Sequence, residues 1–291
     1  MKVCVVTGAT GVVGGALLRA LGSEWRVHAL SHGGARPALR GVEWITADLA
    51  DVWSTDRLPP RADAVVHLAQ TPAFHHFPEC ADEIFRVGVD SAMRLLEYGR
   101  SAGARTFLLG SSGGVYGAAA APVAEDASVP LCAKQAFFLR CKAAAEQLAA
   151  GYRGVMDVVV VRFFFVYGPG QRRAMLLPRL VDAVASGRPV TLLGPDGLHL
   201  NPMHASDCGA ALARALSLGG SHVLNLGGPE VLSLRRIAQI IGRAVGREPV
   251  FRVEPADRPV YLAGSVERAS ALLGAPRVRF EQGVADLLPP C

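Results

Sequence analysis

No apolar run in this chain is long enough to cross a bilayer. The longest, Val155 to Val161 and Phe163 to Val166, are broken by Asp157 and Arg162, well short of the ~20 residues a span requires. The amino terminus also lacks the apolar core, about 7–15 residues, of a secretory leader, because Met1-Lys2-Val3-Cys4-Val5-Val6-Thr7-Gly8 turns to glycine too soon. Six cysteines are present, Cys4, Cys80, Cys132, Cys141, Cys208 and Cys291, without any C-x-x-C spacing. That pattern argues against a zinc or redox motif and fits reduced thiols that pack in a core. Basic clusters are missing too: 30 Lys and Arg against 25 Asp and Glu give a formal charge of +5, with the arginines scattered. The resulting expectation is a cytoplasmic chain with no membrane and no nucleic-acid partner, and no metal.

What is present is apolar bulk, 51% of 291 residues, enough for one large α/β domain with a smaller appended lobe. Short β-branched runs (Val3 to Thr7, Arg26 to Leu30, Ala64 to Leu68, Thr106 to Leu109, Val158 to Arg162) alternate with Ala/Leu/Arg stretches of helical period (Ala16 to Leu21, Ala92 to Arg100, Ala136 to Ala150). This alternation predicts a Rossmann-type, doubly wound parallel sheet with helices on both faces. Beyond Tyr167 the pattern loosens into Gly/Pro-rich loops with helices over Pro178 to Ser186, Ser206 to Leu218 and Ser233 to Val245 and a strand over Ser221 to Leu226. The expected division is a dinucleotide-binding domain over 1–165 and a smaller C-terminal substrate-binding lobe over 166–291 that partly threads back to the sheet.

Thr7-Gly8-Ala9-Thr10-Gly11-Val12-Val13-Gly14 follows the first strand and opens a helix. Glycines in that context permit a tight turn and a close backbone approach to a pyrophosphate, and the helix terminus favours its charge. The candidate cofactor contacts here are Gly8, Thr10, Gly11, Val12, Val13 and Gly14. The end of the second strand, where a carboxylate would hold the ribose diol of NAD, reads Leu30-Ser31-His32-Gly33-Gly34-Ala35-Arg36. With no acid there, and with Ser31, His32 and Arg36 as donors for a 2′-phosphate, NADP(H) is the expected cofactor. Asp48 and Leu49 suit the adenine edge, and Leu68, Ala69 and Gln70 end a strand at the ligand-binding edge of the sheet.

These motifs, together with Ser111-Ser112-Gly113-Gly114-Val115-Tyr116-Gly117, Lys142 before Ala143-Ala144-Ala145-Glu146, Tyr167-Gly168-Pro169-Gly170 and Leu224-Asn225-Leu226-Gly227-Gly228, resemble the extended short-chain dehydrogenase/reductase family over nearly the whole chain. That family includes nucleotide-sugar epimerases and dehydratases. The resemblance implies that Ser112 hydrogen-bonds a substrate carbonyl or alcohol and that Lys142 binds the nicotinamide ribose. It also implies a tyrosine acid/base four residues before the lysine, one helical turn away. That position holds Phe138, which has no proton to give.

Other departures follow. Gly88 and Phe165 stand where the family pattern has asparagines, Leu200 where it has an arginine that grips a nucleotide diphosphate, and Pro255 where it has a later arginine near the C-terminal loop. With Phe74, His75 and His76 after the fourth strand, Phe138, Phe165 and Leu200 suggest an apolar, aromatic-lined substrate pocket. The reading these residues support first is an NADPH-dependent ketoreductase of a bulky, aromatic, polyketide-type carbonyl, with looser similarity to the ketoreductases of aromatic polyketide pathways. The proton would come from the substrate or water. The second is a nucleotide-sugar epimerase or dehydratase carrying a Tyr→Phe replacement, which would explain Phe138 but not Phe165, Leu200 or Pro255. A third is a non-catalytic NADP-binding protein, against which retained Ser112 and Lys142 argue. The assembly expected is a monomer or homodimer.

Overall fold

A computed structural model describes residues 1–34, 36–130 and 136–288. The expected packing cysteines Cys132 and Cys291 lie outside these. Strands β1 (Lys2–Thr7), β2 (Trp25–Ser31), β3 (Val42–Thr46), β4 (Ala64–His67), β5 (Thr106–Ser112) and β6 (Asp157–Phe163) are followed by the short strands β7 (Val166–Tyr167), β8 (Val190–Leu193), β9 (Leu198–Leu200) and β10 (Met203–His204). The remaining strands are β11 (His222–Leu226), β12 (Leu232–Ser233), β13 (Phe251–Glu254) and β14 (Val260–Leu262). Helices are α1 (Val12–Ala20), α2 (Ala81–Phe85), α3 (Ser91–Ser101), α4 (Phe137–Ala150), α5 (Leu176–Ser186), α6 (Ala205–Ala215), α7 (Leu234–Val245), α8 (Glu267–Leu273) and α9 (Phe280–Gly283). No helix among the described residues is long and apolar enough to cross a membrane.

Seven strands pair in the order β11-β6-β5-β4-β1-β2-β3, all parallel. This is the Rossmann-type doubly wound sheet. Its inner strands are largely apolar because alternate side chains enter different cores on the two faces. Cys4 and Val6 of β1, with Val159 and Val161 of β6, join one core under α1 and α6, whereas Val5, Val158 and Val160 join the other under α3 and α4. β3 went unanticipated: Val42-Glu43-Trp44-Ile45-Thr46 is a half-exposed edge strand, so it lacks the apolar run that marks the inner strands.

A third core lies in the lobe, where α5 and α7 pack over β8 and β9. Leu234, Ile237, Ala238 and Ile241 form the inward stripe of α7, at the i, i+3, i+4, i+7 spacing of an amphipathic helix. Ser233 caps its start by accepting from the Arg236 amide, and Gly246 ends it in a left-handed conformation (φ 66°). Before that helix the chain returns to the main sheet, because β11 pairs with β6.

Candidate active site

Strand order reverses between β1 and β4, whose carboxyl ends therefore flank the crevice where such sheets take ligands. One buried hydrogen-bond chain ties these ends together. His67 Nε2 lies 3.1 Å from the Val87 carbonyl and Nδ1 lies 2.8 Å from Thr7 Oγ1. A carbonyl only accepts, so Nε2 carries the proton and Nδ1 accepts from the Thr7 hydroxyl. Thr7 Oγ1 in turn accepts from the Ala69 amide at 3.3 Å. Burial, with the nearby Lys142 charge, brings the His67 pKa down to about 3, so the ring is a neutral brace. Sequence reasoning placed the end of this strand at the sheet edge but missed the role of His67, which depends on a partner 60 residues away.

The glycines of the first turn divide by what surrounds them. Gly8 has φ 69°, and a Cβ there would meet the Leu68 backbone at 2.6 Å; at Gly14 it would meet the Gly8 oxygen at 2.2 Å. Both are required by the protein's own packing. At Gly11 a Cβ would have one neighbour, the Gly8 oxygen at 3.3 Å, with ordinary extended backbone (φ −78°, ψ 170°) and no side chain capping α1. Gly11 thus leaves open room beside free helix amides, a cradle that fits a dinucleotide pyrophosphate. Thr10, exposed, and Val12 and Val13, half-buried, border the same turn.

At the end of β2 the expected donors part company. Ser31 is buried, and its hydroxyl donates to the Gly33 carbonyl at 2.8 Å, so it shapes the turn instead of reaching a phosphate. His32 and Arg36 are exposed, and Arg36 Nη2 donates to Thr46 Oγ1 at 2.7 Å. Asp48 is exposed and holds the Ala50 amide at 2.9 Å. Leu49 is buried in the second core, so its side chain is not an adenine contact as expected. Leu68 and Ala69 are half-buried and Gln70 exposed at the crevice edge.

Ser112 ends β5, and Lys142 reaches the backbone of the same strand two residues earlier, at Gly110. Ser112 Oγ accepts from the Gly114 amide at 3.1 Å, which leaves its proton available for a substrate oxygen. Lys142, buried on α4, donates from Nζ to the Gly110 carbonyl at 2.8 Å. Burial lowers its pKa to about 8, with Glu146 and Cys141 opposing. Beneath them runs a buried polar network that sequence reasoning did not find. Arg162 donates to both oxygens of Glu146 (3.1 and 2.6 Å) and to the Tyr116 hydroxyl (2.6 Å), and Ser111 donates to Glu146. The Tyr116 hydroxyl donates its own hydrogen bond to Asn225 Oδ1 at 2.9 Å. Its phenol is therefore committed and unavailable to a substrate.

Phe138 stands one turn before Lys142, half-buried. Its ring meets Phe74 edge-on at 5.0 Å between centroids and His75 at 6.1 Å. Phe74 and Phe138 are half-buried and pack together with the exposed His75 at their edge, and His76 is exposed on the same loop. Phe165, at φ 47°, adopts a left-handed conformation that asparagine tolerates and phenylalanine resists, and it packs on the lobe core. Leu200 corrects an expectation. β9 pairs with β12 on one side and β14 on the other, and Leu200 is wholly buried between them, so it has no surface to offer a substrate.

A model of the NAD dependent epimerase/dehydratase family matches residues 4–227. Among curated proteins, an uncharacterized UDP-glucose epimerase, YtcB, of Bacillus subtilis (strain 168) is 28% identical over 243 residues, 79% of this chain and 72% of that protein. A dTDP-4-dehydro-6-deoxy-D-allose reductase of a Streptomyces species is 26% identical over 280 residues, 89% and 86% of the two chains. The solved structure of MoeE5 in complex with UDP-glucose and NAD is 31% identical, with a TM-score of 0.81 over 99% of this chain and 97% of that one. These similarities favour the nucleotide-sugar reading over the aromatic ketoreductase reading, and the dinucleotide named in that solved structure is NAD.

Proposed function

The chain belongs to the NAD dependent epimerase/dehydratase family, and from that premise we propose that it transfers a hydride between a nicotinamide dinucleotide and an oxygen-bearing carbon of a sugar carried on a nucleotide. The observation that carries this is the placement of Ser112 at the end of β5 and of Lys142 on the Gly110 carbonyl of the same strand, together with the open turn at Gly11 after β1. When bound, the nicotinamide supplies or accepts the hydride. Ser112 donates its free hydroxyl proton as a hydrogen bond to the reacting oxygen and orients it. The Lys142 ammonium, fixed by the Gly110 carbonyl, keeps two N–H groups for the ribose, and its charge favours developing negative charge on that oxygen. Phe138 contributes shape and exclusion of water and no proton.

Within the same reading, the preferred dinucleotide is NADP(H). No carboxylate stands at the end of β2 to hold a ribose diol, and His32 and Arg36 are exposed there to meet a 2′-phosphate. One feature favours a second reading, a bulky aromatic carbonyl: the cluster of Phe74, His75 and Phe138 is aromatic. Calorimetric titration with UDP-glucose and with a flat aromatic ketone, in the presence of saturating NADP or NAD, separates the two. Saturable binding of the sugar nucleotide supports the first reading. Binding of the aromatic ketone alone replaces it with the second.

A further inference from the structure

The loop after β4 is a built structure. Thr71 donates to the Glu83 carboxylate and accepts from the Ala73 amide at 2.9 Å, and the His76 amide donates to the Ala73 carbonyl at 2.8 Å. The Phe74 ring lies against His75 with centroids 3.7 Å apart and tilted 42°. The same Phe74 ring meets Phe138. The exposed His75 imidazole is thereby held edge-on to Phe138, a residue one helical turn before Lys142 on α4. In that cluster Phe138 has nothing to titrate, and the Tyr116 phenol is committed to Asn225.

We propose that His75 is the proton donor and acceptor of this site, handing a proton to the substrate oxygen in reduction and taking it back in oxidation. The inference rests on the hydride-transfer reading above and names the group that completes it. In reduction, as hydride reaches the carbonyl carbon, the C=O π pair becomes the bond to the proton leaving the imidazolium nitrogen. The imidazole is left neutral and is reprotonated from water. In oxidation the neutral ring takes the hydroxyl proton. Phe138 supplies the flat apolar surface that fixes the ring's angle.

Three influences hold the imidazole below its ordinary pKa of 6.5: partial desolvation first, then His76 on its own loop and Arg179 from α5 of the lobe. The neutral form therefore predominates at neutral pH, which suits oxidation. The reductive rate rises as pH falls through that range.

The test follows hydride transfer by nicotinamide absorbance from about pH 5 to 7, a window that stays below the Lys142 pKa of about 8. NADPH is paired with dTDP-4-dehydro-6-deoxyglucose and, separately, with 9,10-phenanthrenequinone. The expected result is a reductive rate that increases toward low pH and reaches a plateau. His75→Gln should slow it on the order of 10²-fold, flatten the profile and leave NADPH affinity unchanged, with added imidazole restoring part of the rate. An unchanged rate and pH profile in His75→Gln overturns the assignment whichever carbonyl is used. Reduction of the quinone alone, with His75-dependent pH behaviour, keeps the proton assignment and defeats the nucleotide-sugar reading. Turnover of neither carbonyl overturns both.

Discussion

A methyl group at Gly8 or Gly14 would drive into backbone at 2.6 or 2.2 Å, whereas one at Gly11 would meet a single oxygen at 3.3 Å. Gly11→Val is accordingly expected to fold with a loss of no more than about 1 kcal/mol while abolishing dinucleotide binding, because its side chain fills the pyrophosphate cradle. Thermal unfolding and calorimetry on the same sample check both halves, and retained dinucleotide affinity would refute the assignment. His67 carries a pH prediction. Its folded pKa, near 3, lies below its unfolded value near 6.5, so the unfolded chain binds the extra proton. Its contribution is complete above pH 6.5 and declines as pH falls toward 3, at about 1.4 kcal/mol per pH unit. Denaturant titrations across that window should show the slope, and His67→Gln should lack it. At this scale the sequence was legible where spacing carries the chemistry, as at Gly11, Ser112 and Lys142. It misled at Leu200 and Ser31, whose surroundings are set by β12 and β14 in one case and by a local turn in the other.

The β2 end and the α4–β6 pair show what elements impose on single residues. With Ser31 absorbed into its turn, discrimination between dinucleotides rests on His32 and Arg36. Arg36→Ala is expected to weaken NADPH about tenfold and to leave NADH unchanged, read by parallel calorimetric titrations. Equal loss for both would remove the 2′-phosphate argument. The Glu146 and Arg162 side chains are each about 7% exposed and tie α4 to β6 beneath Lys142. Breaking a buried pair leaves one charge without its partner, so Glu146→Gln should cost on the order of 3–5 kcal/mol of folding stability, measurable by denaturant unfolding. A change below about 1 kcal/mol would show that the Tyr116 hydroxyl suffices for Arg162. Neither member of this pair was picked out as a site residue, because an Arg and a Glu 16 positions apart carry no local signal until β6 lies beside α4.

For the whole molecule, the alternation of strand and helix runs predicted the parallel sheet, since strands covered on both faces must be largely apolar. The lobe was less legible. Its strands β7 to β10 and β12 to β14 run two to four residues each, too short for periodicity to register. On the substrate class, the apolar departures pointed to an aromatic carbonyl while the relatives point to a sugar nucleotide. The central claim is hydride transfer at the Ser112–Lys142 edge without a phenol on α4. It is tested most directly by single turnover with NADPH deuterated at nicotinamide C4 and dTDP-4-dehydro-6-deoxyglucose, with mass spectrometry of the product, for the native chain and Phe138→Tyr. The account predicts deuterium in the native product and a rate within about tenfold of it for Phe138→Tyr. A native chain that transfers no deuterium, beside a Phe138→Tyr chain that becomes thousands-fold faster, would contradict it.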